Sequence, residues 1–303
     1  MTDRSFLTAI LIAGLVLAFP VHSQAQGNGR PKGPRNGTTA APVPTTSSPT
    51  STAPTTGTAT GATPADLAAS TITFRQFGSW LDDASAATAG QGYMSIGVGY
   101  WRLSGVSQIN MPMLGAGLGV TDRVQVSASV PFYNVRYEGG STRGLDDVYL
   151  GAKYTLVDPT LTVSEFGLAV SPVVEVLSPG VPDGRVHFAV PVSMELRRSP
   201  FRIYGSAGYF TRGSVFTGGA LEWTTPAWLV LTGMLTQSYS VKDDPVLDGL
   251  LVGRQQVDVM GSAAYPLGTR AAAYASVGRS LRSPYNGGTR LALSGGVSFR
   301  FAR

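Results

Sequence analysis

The sequence predicts an all-β chain, a transmembrane antiparallel β-barrel of about 12 strands preceded by a signal peptide and a disordered Pro/Thr-rich linker. Three observations carry this expectation. Val124, Val126, Ala128, Val130 and Phe132 alternate with Gln125, Ser127, Ser129, Pro131 and Tyr133, which is the period of a strand with one apolar face and one wetter face. Composition is the second: 303 residues contain 38 Gly, 20 Pro, no Cys and only 14% charged residues. That is too little charge for an ordinary soluble surface and too much Gly for helices. Third, no apolar run of about 18 residues follows the first twenty positions, so any crossing of a membrane must use strands.

The chain opens with an export signal over 1–25. Arg4 precedes the apolar block Phe6 to Phe19, Pro20 breaks it, and Ser23 and Ala25 supply the small residues before a cleavage site between Ala25 and Gln26. The linker follows over 26–70. Its Thr, Ala, Pro, Ser and Gly carry no aromatic residue and no apolar period, so it cannot bury enough surface to offset the entropy of ordering it. Arg30, Lys32 and Arg35 give this linker a possible contact with the cell wall; the plainer reading is a solvated spacer.

Segment 71–90 differs because Phe74, Phe77, Trp80 and Leu81 precede the acidic pair Asp82 and Asp83. It reads as a short element at the periplasmic mouth of the barrel or inside its lumen. Two adjacent carboxylates without His make a poor metal site, so a capped turn is the expected role of the pair, and no metal or cofactor is expected anywhere in the chain. The absence of Cys removes disulfides, thiolate sites and a lipid-modified N-terminal Cys. A formal charge of +5, partly from the linker, is not the footprint of a nucleic-acid binder.

The barrel occupies 91–303, with candidate strands centred near Val98, Leu114, Ala128, Leu150, Val170, Val190, Ala207, Ala220, Leu231, Met260, Ala275 and Gly295. An even count suits a closed antiparallel wall, and closure leaves no unpaired edge in lipid. Connections sort by length. Those at Thr121 to Arg123, Arg198 to Pro200, Thr225 to Pro226 and Leu267 to Thr269 are short; those at Arg136 to Asp146, Ser178 to Gly184, Lys242 to Gly253 and Arg282 to Gly288 are longer. Short turns on the periplasmic side and longer loops outside fit an outer-membrane location, with outer-membrane lipid as the partner of the wall. Tyr100, Phe132, Trp223, Tyr265 and Phe301, near strand ends, suit interfacial girdles.

Parity assigns the faces. Phe166, Leu168, Val170, Val174 and Val176 point to lipid, as do Val186, Phe188, Val190, Val192, Met194 and Leu196, which turns Glu175, His187, Ser193 and Glu195 to the lumen. The lumen and solute-binding candidates are Asp147, Lys153, Glu175, His187, Glu195, Glu222, Asp258, Arg270, Arg290 and Arg300. Asp147 and Lys153 share a strand face about 20 Å apart, so each must meet charges on other strands or water. Rings of opposite charge would orient a small solute without holding it tightly. The same pairs would equally serve to brace the barrel.

Two runs carry a family resemblance. Gly119-Val120-Thr121-Asp122-Arg123 leads into an alternating strand that ends at Pro131, and Gly144-Leu145-Asp146-Asp147-Val148-Tyr149-Leu150-Gly151-Ala152-Lys153-Tyr154 follows. In these the chain resembles the outer-membrane family labelled as components of the MetA pathway of phenol degradation, with Asp146 where that family typically has a second Gly. The resemblance implies a barrel that moves small hydrophobic or aromatic compounds.

The function expected is therefore passive passage of a small-molecule solute through a narrow lumen. The alternative is a non-transporting structural or adhesion protein whose loop residues Asp243, Asp244 and Asp248 meet partners outside, and a soluble periplasmic barrel or sandwich is the structural rival. Catalysis is not expected. His187 is the only His left after the signal, with Ser193 about 20 Å along the same strand and no evident base, nucleophile and orienting group together. Substrate, direction and oligomeric state are not readable from the chain.

Overall fold

The computed structural model describes residues 74–76, 79–162, 165–177, 186–241, 255–281 and 288–302. The signal and linker expected over 1–25 and 26–70, and the middles of the three longest loops, lie outside the described residues.

Alternation of apolar and small polar residues yields one antiparallel sheet of fifteen hydrogen-bonded segments. They are β3 (Gln91–Arg102), β4 (Val106–Thr121), β5 (Val124–Tyr137), β6 (Gly140–Leu145), β7 (Val148–Val157), β8 (Phe166–Val170), β9 (Val173–Val176), β10 (Val186–Ala189), β11 (Val192–Arg198), β12 (Phe201–Phe210), β13 (Ser214–Thr224), β14 (Val230–Ser240), β15 (Gln255–Pro266), β16 (Ala271–Ser280) and β17 (Leu291–Ala302). The pairs β6–β7, β8–β9 and β10–β11 are each one wall strand with an interruption, so the wall has 12 strands. It closes because β17 pairs with β3 from Leu291↔Arg102 to Ala302↔Gln91. Every wall strand then has two neighbours within the closed ring, and among the described residues the extension β6, paired with β5 alone, keeps an open edge.

Proline explains the interruptions. Pro172 separates β8 from β9 and Pro191 separates β10 from β11, since proline brings no N–H to the ladder. Their carbonyls stay paired: Ala152 N–H donates to Pro172 O and Ser171 N–H to Pro191 O, both at 2.9 Å. Pro131 O likewise accepts from Asp146 N–H at 2.9 Å, at the break between β6 and β7, and Pro112 sits in the register shift between Asn110 and Met113.

The faces separate as parity requires. Phe188, Val190, Leu150, Leu293 and Phe299 are exposed on the outer face, while Glu175, Ser193, Glu195 and Ser298 on the inner face are buried. Aromatic rings gather near the outer strand ends; Phe201 and Trp223 stack there at 6.5 Å between centroids, and Tyr265 and Phe301 are exposed nearby.

Both ends of the wall sequence emerge at one rim, the near end. Here the turns after β4, β11, β13 and β15 are the four short ones expected. The far end carries the long connections after β9, β14 and β16. One expectation is corrected. Residues Tyr137 to Asp146 do not form a long loop: β6 pairs with β5 from Tyr137↔Gly140 to Phe132↔Leu145, leaving Glu138 and Gly139 as the turn, with Gly139 at φ 104°. Both faces of this extension are solvent-exposed over Gly140 to Arg143, so it has no apolar period for the sequence to show.

Two further strands stand apart from the wall. β1 (Phe74–Gln76) and β2 (Ser79–Leu81) pair antiparallel, and β2 lies against the inner faces of β12, β13 and β14. Leu81 packs on Tyr204, Ala220 and Met234; Trp80 packs among Val173, Ala189, Phe210 and Phe216. From there the chain runs down to the near rim, where Gly90 N–H donates to Gly119 O at 2.9 Å.

Candidate functional site: the lumen and its charged cluster

The inner segment brings its acidic pair to cations that the wall points inward. Lys153, on β7, has Nζ 2.9 Å from Asp82 Oδ1, 2.6 Å from Asp83 Oδ1 and 3.1 Å from the Ser85 carbonyl oxygen. Arg202, on β12, donates Nη2–H to Asp83 and Nε–H to Glu195 Oε1 at 2.7 Å, and its Nη1 is 3.7 Å from Glu222 Oε2. Glu195 in turn accepts from Arg197 Nε at 2.5 Å, and its other oxygen accepts from Ala84 N–H at 3.1 Å and Ser85 Oγ at 2.7 Å. Four wall strands, β7, β11, β12 and β13, and the inner segment thus share one network. All of its main charges are taken from water, and such charges are stable only when paired and hydrogen-bonded.

Backbone contacts fix the segment as firmly as the charges do. Ser206 Oγ donates to Trp80 O at 2.6 Å and accepts from Asp82 N–H at 3.2 Å; Thr155 Oγ1 donates to Ala84 O at 2.9 Å. Lower down, Gln125 Oε1 accepts from Ala87 N–H at 2.8 Å and Asp122 Oδ1 from Ala89 N–H at 3.1 Å.

The candidates do not all meet in one place. Lys153, Glu195 and Glu222 meet in this cluster. Glu175 and His187 face each other in the β9–β10 register, and Glu175 accepts from the Tyr149 hydroxyl at 2.8 Å and lies 3.4 Å from Arg212 Nη1. Asp258 stands apart, accepting from Gln256 Nε2 at 2.9 Å and Ser280 Oγ at 2.5 Å. Asp147 is half-buried at the break before β7, and Arg300 half-buried on β17. Arg270 and Arg290 stand at the strand ends. Both are exposed in strand-flanking positions, Arg270 in the turn before β16 and Arg290 just ahead of β17; parity gives a face but not a depth.

Asp82 and Asp83 do more than the expected capping of a turn: Asp82 Oδ1 accepts from Asp83 N–H at 3.0 Å, and the two carboxylates are also engaged by Lys153 and Arg202. Arg202, Arg197 and Arg212 were not among the candidates. Arg202 had a usable signal, since it is an inward position paired directly with Glu222 across β12 and β13. Asp146, where the resembled family has Gly, accepts from Asn110 Nδ2 at 2.7 Å and Gln108 Nε2 at 3.0 Å, tying the β6–β7 break to the bulged part of β4.

The inner segment covers the lumen unevenly. Inward residues of β7 to β14 are nearly all buried, whereas Tyr93, Ser95, Gln108, Gly115, Ser127 and Ser294, on β3, β4, β5 and β17, are only half-buried. The less covered side of the lumen is therefore the one lined by β17, β3, β4 and β5.

The closed wall places the chain beside solved barrels. The fold is similar to that of an outer-membrane channel from Pseudomonas putida F1, at a TM-score of 0.54 and 13% identity over 72% of this chain and 98% of that one. It is also similar to the NanC porin, at a TM-score of 0.50 and 10% identity over 68% of this chain and 98% of that one. The chain therefore has the fold of outer-membrane channel barrels. No family model matches it, and no curated protein matches it in sequence.

Proposed function

We propose that the chain is an outer-membrane channel of a Gram-negative-type envelope, through which small molecules pass passively along a narrow lumen. The supporting observation is the pairing of a closed wall, apolar and exposed outside, with an inner face of hydroxyls and charges that is only half-covered over β17 to β5. A wall of this kind suits lipid, and a 12-strand barrel lies between small barrels filled by side chains and wide porins. No helix among the described residues is long and apolar enough to cross a membrane, and in this reading the crossing is made by the strands. The family resemblance extends the reading to hydrophobic or aromatic solutes. The basic residues Arg30, Lys32 and Arg35 are the part suited to reach the cell wall.

Swelling of liposomes that carry the refolded protein tests this reading. Solutes of disaccharide size or smaller are expected to enter, and solutes several times larger to be excluded. A folded barrel that admits neither leaves the structural or adhesive reading, which the seating of the inner segment favours.

A further inference from the structure

The wall beside the inner segment carries a row of hydroxyls that the charged cluster does not use. Thr232 on β14 pairs with Ser262 on β15, Ser262 with Ser276 on β16, Ser276 with Ser294 on β17, and Ser294 with Gly99 on β3. All lie on the inner face, so the row crosses four adjacent strands at one level, spanning about 14 Å at roughly 4.8 Å per strand. Ser276 and Ser294 bond to each other at 2.6 Å. The hydroxyls of Thr232 and Ser262 are both more than nine-tenths buried and meet no protein partner. A buried hydroxyl left unpaired is costly, so the row is suited to something that brings its own donors and acceptors.

Two aromatic rings frame it. Tyr274, two positions from Ser276 on the same face, lies across wall glycines: a Cβ at Gly97 would fall 2.5 Å from its hydroxyl, and one at Gly296 2.7 Å. Trp101 covers Gly99, where a Cβ would fall 2.2 Å from the ring. The glycines seat the rings along the wall, and both rings stay half-buried, open in part to the lumen. No charged residue occupies the next inward position above or below the row on any of the four strands. Leu81 of the inner segment packs near Met234 and Met260, one inward position beyond Thr232 and Ser262, so the row runs from the segment's edge into the half-open side of the bore.

We infer that this row is a binding step on the solute path for an uncharged sugar, a mono- or disaccharide; the inference rests on the channel reading and departs from the hydrophobic or aromatic solutes that the family resemblance implies. Each hydroxyl both donates and accepts, which matches the several hydroxyls of a sugar, and the flanking rings suit its apolar C–H faces. A phenol, with one hydroxyl, would use only a fraction of the row. A charged sugar acid would find no counter-charge at this level.

The test combines binding and passage on the full-length refolded protein. Maltose, phenol and glucuronate are titrated against intrinsic tryptophan fluorescence, and maltose and glycerol are used in liposome swelling, for the wild type and for Thr232→Val with Ser262→Ala. Maltose is expected to give a saturable change, tighter than either competitor, that weakens by about tenfold or more in the double variant as hydrogen bonds are lost. Maltose swelling should slow in that variant while glycerol swelling holds. Absence of saturable maltose binding, equal binding in the double variant, or tighter binding of phenol or glucuronate overturns the inference, whatever the swelling shows. Saturable, variant-sensitive binding without swelling by any solute upholds the site and removes the channel.

Discussion

Lys153 Nζ stands 2.6 Å from Asp83 Oδ1, a contact between the barrel wall and a residue 70 positions earlier in the chain. Both side chains are largely buried. Removing Lys153 takes the cation from Asp82 and one of two from Asp83, which keeps Arg202, so the loss should fall below the about 3 to 5 kcal/mol of a fully broken buried pair. The wall keeps its backbone ladder, so Lys153→Met should weaken the seating of the inner segment and not the barrel. Protease added to the folded protein should cut within residues 79–90 of the variant and spare the wild type, while the heat-resistant barrel band persists in both. Equal protection would show that the ion pairs do not hold the segment.

Gly119 gives a steric route to the same place. A Cβ there would fall 2.2 Å from the carbonyl oxygens of both Ala87 and Thr88, and neither backbone can yield as a flexible side chain would. Gly119→Ala should therefore displace the segment where it leaves the lumen, at about 1 to 3 kcal/mol for such overpacking. The expected readout is faster hydrogen exchange at Ala89 and Gly90, with exchange along β12 and β13 unchanged.

The two faces of the wall should respond differently to charge. Leu293 is exposed on the outer face, and Leu293→Arg should impair folding into lipid by about 2 to 4 kcal/mol near mid-membrane. Ser95 is half-buried on the inner face, and Ser95→Arg should cost far less. Denaturant titrations of refolding into vesicles measure both. Equal penalties would contradict the assignment of faces.

Removing Asn28 to Ala69 should leave the barrel and its charged cluster in place, because the contacts that seat the segment begin at Trp80 and Leu81. The check is the heat-resistant band of the shortened chain together with unchanged protection of residues 79–90. Loss of the band would give the linker a structural role.

The wall was legible in the sequence because period-two alternation is local. Glu175 and Glu195 could be turned inward from their own strands alone, and the structure buries both on the inner face. The partners of Lys153 were not legible. Asp82 and Asp83 sit in a stretch with no apolar period, and the contact is tertiary, so its only trace was indirect: a lumen lysine about 20 Å from the nearest same-face carboxylate must find a partner elsewhere. The depth of Arg270 and Arg290 was not legible for a different reason. Their parity fits the lumen, but each lies beyond the last paired residue of its strand, where the face no longer matters. The β5–β6 extension was hidden because both of its faces are wet.

Single-channel current in planar lipid bilayers measures passage most directly. The full-length protein should insert to give small, discrete conductance steps, reflecting the half-covered bore over β17 to β5. The Asp82→Asn, Asp83→Asn variant, which removes both carboxylates from Lys153, should give larger steps as the segment loosens. Correctly inserted protein that carries no current in either form would contradict a channel and leave a sealed, structural barrel.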